Sequence, residues 1–343
     1  MNNRIEWVDY AKGIGIILVV YGHLLSSGYH MGLGIPDHFF GLSDSIIYGF
    51  HMPLFFFLSG LFIEKSLQKH GFKNYLGIQL RRLVYPYFLW SILQMSVEVI
   101  FSSQTQNGTR LSDIFAIVYQ PWGQFWFIYA LFLMQLIFVL ANRVNRFGTL
   151  ILSILSVWLF IYPIRIQVAA IVPFSTHFIF FIGGVLFRKY FWNKIVLKPS
   201  LWLTLVLLVT LVSTGWFIFD RLIKPERLAN GNHPFYFMYL AIVGILFCIT
   251  LSQYLAEKNL LPLFKTFGLY SLQIYLVHML AGVGTRVILL EVFHLHNWVT
   301  HIIVGTLIAL TTPILLQKIA KLLNFPYLFE LPKKSSKALL TLT

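Results

Sequence analysis

The sequence predicts an all-α fold, a polytopic transmembrane bundle of about ten helices with both termini in the cytoplasm and no soluble domain. Three observations carry that expectation. The 343 residues are 58% hydrophobic and only 11% charged, less than half of the roughly one-quarter charged fraction typical of soluble domains. The apolar residues fall into ten runs of spanning or near-spanning length, a membrane helix needing about 20. Lys and Arg gather on alternate sides of those runs, as orientation in a bilayer requires. Mean hydropathy is +0.75.

The runs lie at 11–27, 45–63, 83–102, 125–142, 149–163, 168–187, 201–219, 235–256, 266–290 and 298–322. The first is flanked by Glu6 and Asp9 and is soon followed by a second spanning run, so it reads as a retained helix rather than a cleaved leader. The fifth is the shortest. Twenty Lys and Arg residues fall on one side of the runs. Five fall on the other (Arg110, Arg165, Arg221, Lys224 and Arg227), and Arg286 lies within the ninth run. The richer side is the cytoplasmic one, which puts Lys69 and Lys334 inside and the loops around Asp37 and Glu226 outside. Between the second and third runs, Leu67, Phe72, Tyr75, Leu76, Leu80 and Leu83 recur at helical intervals among lysines. That pattern predicts an amphipathic helix over 65–82 on the cytoplasmic membrane face. Residues 1–325 form one transmembrane domain, and 326–343 a short cytoplasmic tail.

The net charge of +14 and pI near 9.8 arise from scattered loop cations rather than a dense basic arm, which argues against nucleic acid as a partner. The single Cys248 sits in an apolar run and allows neither an intramolecular disulfide nor a thiolate cluster. GxxxxGK[ST], HExxH, GxSxG and paired CxxC motifs are absent. Nucleotide triphosphatase, soluble-type hydrolase and zinc chemistry are therefore unsupported, and no metal is expected.

Polar groups inside spans are costly and mark functional sites by default. Lys12 and His23 are eleven residues apart, close to three helical turns, so they share a face with His23 about 16 Å deeper. A cation at the rim suits a phosphate, and a deeper imidazole suits proton transfer. A snorkelling lysine and a packing histidine fit the same spacing. In the second run Pro53 follows His51 and predicts a kink that frees backbone carbonyls there. The third run begins after Arg81-Arg82 and carries Glu98 in its outer half, where a carboxylate needs a partner. The ninth run places Ser271, Tyr275 and His278 on one face, with Arg286 two turns further out. His177 follows Ser175 and Thr176 in the sixth. These residues suit either a polar channel or interhelical hydrogen bonding.

Several segments resemble one known family. The opening from Arg4 to Gly13, running on to Tyr21-Gly22-His23, is similar to the start of the membrane acyltransferase-three family, whose signature is a basic residue, ten residues and then His. The His51–Gly60 run resembles the second helix of its members related to fucose 4-O-acetylase, and Trp126–Leu131 resembles its fourth-helix motif. Phe181–Phe187 and Ser271–His278 are similar to later landmarks. One position departs: aligned on Pro86, the third-helix Arg pair of the family reads Gln79 and Arg82, with Arg81 adjacent. The resemblance implies transfer of an acyl group, commonly acetyl from acetyl-CoA, to a hydroxyl of a cell-surface glycan or lipid-linked sugar, in the plasma (inner) membrane of a bacterium. It implies His23 as catalytic base and Lys12 and Arg82 (or Arg81) as contacts for the CoA phosphates. His51, Glu98, Trp126, His177, Ser271, Tyr275, His278 and Arg286 are expected to line the substrate space. A polytopic exporter of a glycan or small solute is the alternative, because intramembrane His and Glu suit transport too; inverted repeats, which would favour it, are not seen.

Overall fold

A computed structural model describes residues 5–100, 111–164, 166, 170–192, 200–221 and 233–332, without the side chains of 111–113, 218, 220 and 221. Lys334 and Glu226, two of the topology markers, lie outside these residues. All ten predicted runs are helical as far as they are described: α1 (Glu6–His30), α2 (Asp37–His70), α3 (Phe72–Gln79), α4 (Tyr85–Ile100), α5 (Trp126–Val144), α6 (Gly148–Ile161), α7 (Ile171–Leu186), α8 (Leu201–Arg221), α9 (Pro234–Glu257), α10 (Pro262–Leu269), α11 (Ser271–Glu291) and α12 (Trp298–Leu322). Among the described residues eight helices are long and apolar enough to cross a membrane, α3 and α4 counting as one, while α6 and the Leu201–Phe217 part of α8 are shorter apolar helices. The protein is an all-α polytopic bundle.

Two local expectations change. Residues 65–82 are not one amphipathic helix. α2 continues to His70, stops at Gly71 with φ +71°, a conformation that favours glycine, and α3 then starts afresh. A π-helical turn at Leu80–Val84 joins α3 to α4; such turns often occur at functional sites. The ninth run is broken as well. α10 runs from Pro262 to Leu269, and α11 starts at Ser271, with Tyr270 as the break between them.

α1 is the hub, packing against α2, α9, α10, α11 and α12. Its crossing with α10 is backbone on backbone: a Cβ on Gly13 would overlap the Phe264 carbonyl oxygen, and one on Gly268 the Asp9 carbonyl oxygen. That contact holds α10 beside Lys12. Lys265 Nζ adds a 2.6 Å bond to Glu6 Oε1, which raises the Lys265 pKa above its ordinary value. A raised lysine pKa means the pair's support is complete below the unfolded value and is lost only as pH climbs through the higher folded value, well into the alkaline range.

α2 and α7 meet in the same way, Gly60 against the Phe181 carbonyl and Gly184 against that of Phe57. The neighbouring Gly183 faces open space. Gly184→Ala should therefore force two backbones apart, costing about 1–3 kcal/mol. Gly183→Ala should be neutral or gain up to about 1 kcal/mol in helix propensity. Thermal unfolding of the two detergent-solubilised variants checks this contrast; equal midpoints would contradict the packing.

The chain after α12 folds back onto α4. Tyr85 Oη donates to the Tyr327 carbonyl at 2.9 Å and Trp90 Nε1 to the Leu328 carbonyl at 2.7 Å. Phe329 is buried and stacks on Trp90.

Candidate active site

Spacings of four, three and four put Lys12, Ile16, Val19 and His23 on one stripe of α1. The first three line a cavity of about 380 Å³, and His23 is the next residue beyond its deep end. α11 repeats the pattern: Ser271 and Tyr275 line the cavity, and His278 follows. α2 runs the other way, lining the cavity with Ser66, Ser59 and Met52, after which Tyr48 is the next residue on that stripe. Three helices thus deliver His23, His278 and Tyr48 to one layer past the cavity. The His23 ring lies 5.3 Å from His278 and 6.1 Å from Tyr48, centroid to centroid, and Tyr48 sits edge-on to His51 at 4.9 Å.

The shallow end of the cavity is cationic and polar, formed by Lys12, Gln79 and Arg82. Its wall carries a hydrogen-bonded chain in an otherwise apolar lining. Tyr75 Oη donates to Gln135 Oε1 at 3.0 Å, and Gln135 Nε2 donates to Ser59 Oγ at 3.1 Å.

Three buried imidazoles, those of His278, His51 and His177, have assignable tautomers. His278 Nδ1 lies 2.8 Å from the Tyr275 carbonyl and 3.2 Å from that of Ile274. Carbonyls only accept, so Nδ1 carries the hydrogen and Nε2 is a bare acceptor. That Nε2 is buried with no hydrogen-bond partner among the described residues. His51 Nδ1 faces the Ile47 carbonyl at 2.6 Å, and His177 Nδ1 the Pro173 carbonyl at 2.9 Å. His51 therefore bonds back into its own helix just before Pro53, and α2 passes through that proline unbroken.

A cationic mouth, a mostly apolar cavity with one polar chain in its wall and an imidazole layer beyond its end suit a donor bearing phosphates at one end and a reactive group at the other. Comparison with known sequences decides the class, since the model of the acyltransferase domain matches residues 5–318. The chain belongs to the membrane acyltransferase-three family. Nodulation protein NolL of Mesorhizobium japonicum is 29% identical over 209 residues, 60% of this chain and 54% of that protein. Its namesake from Sinorhizobium fredii is 29% identical over 194 residues, 55% of this chain and 50% of that one. The matched region thus spans about half the length of these curated relatives. No solved structure matches.

Within this member of the family the expected site residues separate into groups. Lys12, Arg82, Ser271 and Tyr275 line the cavity together, and His23 and His278 meet just beyond it. Arg81 is not among the lining residues; Gln79, the last residue of α3, holds that place beside Arg82. The backbone carbonyl of Arg81 accepts instead from Leu331 N at 3.4 Å. Arg82 Nε pairs with Glu330 at 3.4 Å, both side chains being about half exposed. Trp126 and His177 stand apart from the cavity, 5.6 Å from each other and packed around Phe56.

Two partners of Glu98 are neutral. Its oxygens accept from Gln94 Nε2 and Trp122 Nε1, each at 3.1 Å. Gln94 exchanges amide hydrogen bonds with Gln124, whose carbonyl accepts from Tyr275 Oη. Glu98 is therefore connected to the cavity wall through Tyr275 rather than lining it. Arg286 is buried and donates to Ser27 Oγ at 2.9 Å. Residue periodicity gave no sign of the Tyr75–Gln135–Ser59 chain, because its members come from three different helices. Gln135 in an apolar run was the one available signal.

Proposed function

We propose that this acyltransferase moves an acyl group, acetyl in the simplest case, from cytoplasmic acyl-CoA to a hydroxyl of a cell-surface glycan or lipid-linked sugar, in the plasma membrane of a bacterium. The observation that carries the reading is the single stripe of α1 that runs from Lys12 at the cavity mouth to His23 beyond its end. Lys12 and Arg82 bind phosphate at the mouth. The Tyr75–Gln135–Ser59 chain offers hydrogen bonds to the amides of a pantetheine arm, which otherwise pass through apolar surroundings unsatisfied. The sugar class rests on the resemblance to fucose 4-O-acetylase-related members, and the NolL relatives are matched over only half their length.

His23 supplies the chemistry. A sugar hydroxyl is un-ionised at neutral pH, so attack on a thioester requires removal of its proton as the new C–O bond forms, and an imidazole with a reference pKa near 6.5 suits that task. His23 takes the proton from the hydroxyl and returns it to the departing sulfur as the C–S bond breaks, leaving free CoA and the ester. The His278 Nε2 acceptor beside it can receive an N–H from His23 and so set which His23 nitrogen faces the hydroxyl.

The deciding experiment supplies purified protein with acetyl-CoA and a glycan acceptor and measures release of free CoA. Acceptor-dependent release is expected; its absence, with solute flux across proteoliposomes, would favour the exporter. The wall chain gives a finer check. Gln135→Leu removes both of its amide contacts and should raise the KM for acetyl-CoA about tenfold, the cost of one to two net hydrogen bonds. Unchanged donor kinetics would remove the chain from the donor path.

A further inference from the structure

Arg286 remains unexplained by the donor site. It lies in the outer half of α11, two turns beyond His278, and is only 8% exposed. Its Nη1 donates to Ser27 Oγ at 2.9 Å, and Ser27 is one turn beyond His23 on the same face of α1. No carboxylate among the described residues pairs with it. A neutral hydroxyl does not offset a positive charge withdrawn from water, which costs several kcal/mol when uncompensated. An intramembrane cation without a counter-ion marks a place where a ligand brings one.

We propose that Arg286 and Ser27 bind an anionic group, a phosphate or a carboxylate, carried by the acceptor. The inference rests on the acyl-transfer reading and adds the acceptor's chemistry to it. The two functional layers of α1 and α11 then have opposite partners. Lys12 holds the donor on one side of His23, and Arg286 holds the acceptor on the other. The guanidinium meets Ser27 about 6 Å along the helix from His23, a distance comparable to the width of a sugar ring, so an anion held there leaves a nearby hydroxyl at the imidazole. His23 and Ser27 are both partly exposed, so the layer is reachable. With one Nη committed to Ser27, the remaining guanidinium N–H groups are free to grip a phosphate or carboxylate in the bidentate manner that arginine favours. Two acceptors present this chemistry: a sugar on a polyprenyl diphosphate and a glycan containing uronic acid.

The test uses full-length protein in nanodiscs and three probes: a polyprenyl diphosphate, a glucuronic-acid oligosaccharide and a neutral fucose oligosaccharide. The wild-type thermal midpoint should rise with one of the two anions, which identifies the source, and not with the neutral sugar. Arg286→Gln should lose that rise. In the CoA-release assay with the responding anion class as acceptor, Arg286→Gln should raise the acceptor KM about tenfold or more and leave the acetyl-CoA KM unchanged, with Arg286→Lys recovering part of the loss. Ser27→Ala, which keeps the charge but removes the hydroxyl that orients it, should raise the acceptor KM by a smaller factor and serves if Arg286→Gln does not fold. No wild-type response to either anion, an equal response in Arg286→Gln, or a parallel loss of donor and acceptor affinity would overturn the proposal. An Arg286-dependent anion response without any acyl transfer would leave the anion site standing and remove the donor assignment instead.

Discussion

His23→Ala should insert and fold normally, retain acetyl-CoA binding and lose nearly all acyl transfer. The loss of a general base typically costs about 10²–10⁴-fold in rate, and the remaining parts of the site are untouched by this substitution. His23 is partly exposed and its ring contacts are His278 and Tyr48, so truncating it opens space at the cavity end and leaves the glycine contacts of α1 with α10 in place. Acyl transfer is read as CoA release and as ester formed on the acceptor, and donor binding by titration of the same preparation. His51→Ala and His278→Ala are the comparisons. His51 is turned into its own helix by the Ile47 carbonyl and should matter mainly for stability. His278→Ala should slow transfer less than His23→Ala, since it removes the partner that orients His23 rather than the base. If His23→Ala keeps more than about a tenth of the activity while either of the others abolishes it, the base has been assigned to the wrong histidine.

Removal of the mouth cations should weaken the donor without harming the fold. A charge-assisted hydrogen bond to phosphate is worth about 1.5–3 kcal/mol, or roughly 10- to 100-fold in affinity. Lys12 is partly buried at the cavity mouth, so Lys12→Ala should raise the acetyl-CoA KM toward the upper end of that range, and Lys12→Arg should be tolerated. The Arg82 side chain is 60% exposed and already shares Glu330. Solvent screening reduces what such a pair is worth, so Arg82→Ala should have the smaller effect and the steeper dependence on salt. Measured KM values for donor and acceptor separate this from a general loss of structure, because the acceptor KM should stay constant. Unaltered donor binding in both variants would refute the assignment of the mouth.

The one-dimensional features of this protein were legible in its residues. Ten apolar runs, the alternation of charge and the Lys12–His23 stripe all depend on helix periodicity and span length, which act over a few turns of one chain segment. The Lys12-to-His23 spacing already put both residues on one face, and the structure adds that Ile16 and Val19 between them line a cavity. The break at Gly71 was missed because apolar residues recur at helical intervals on both sides of it, and that at Tyr270 because the apolar run continues across it.

Which stripes face one another was decided only by the tertiary structure. His23 meets His278, Gln135 links Tyr75 to Ser59, Arg286 reaches Ser27 and Trp90 receives the chain after α12, each pairing residues from separate helices or distant segments. Hydropathy does not choose these partners, because lipid tails are as apolar as a helix interface and burial between helices has no hydrophobic advantage over burial in lipid. Ile154 is 66% exposed on α6 while Phe181 is fully buried on α7, yet both read alike as apolar. The choice falls to close backbone approach, as at Gly13 with Gly268 and Gly60 with Gly184, and to polar groups that must find partners across helices. Both are properties of surfaces brought together, and a single segment carries only half of each.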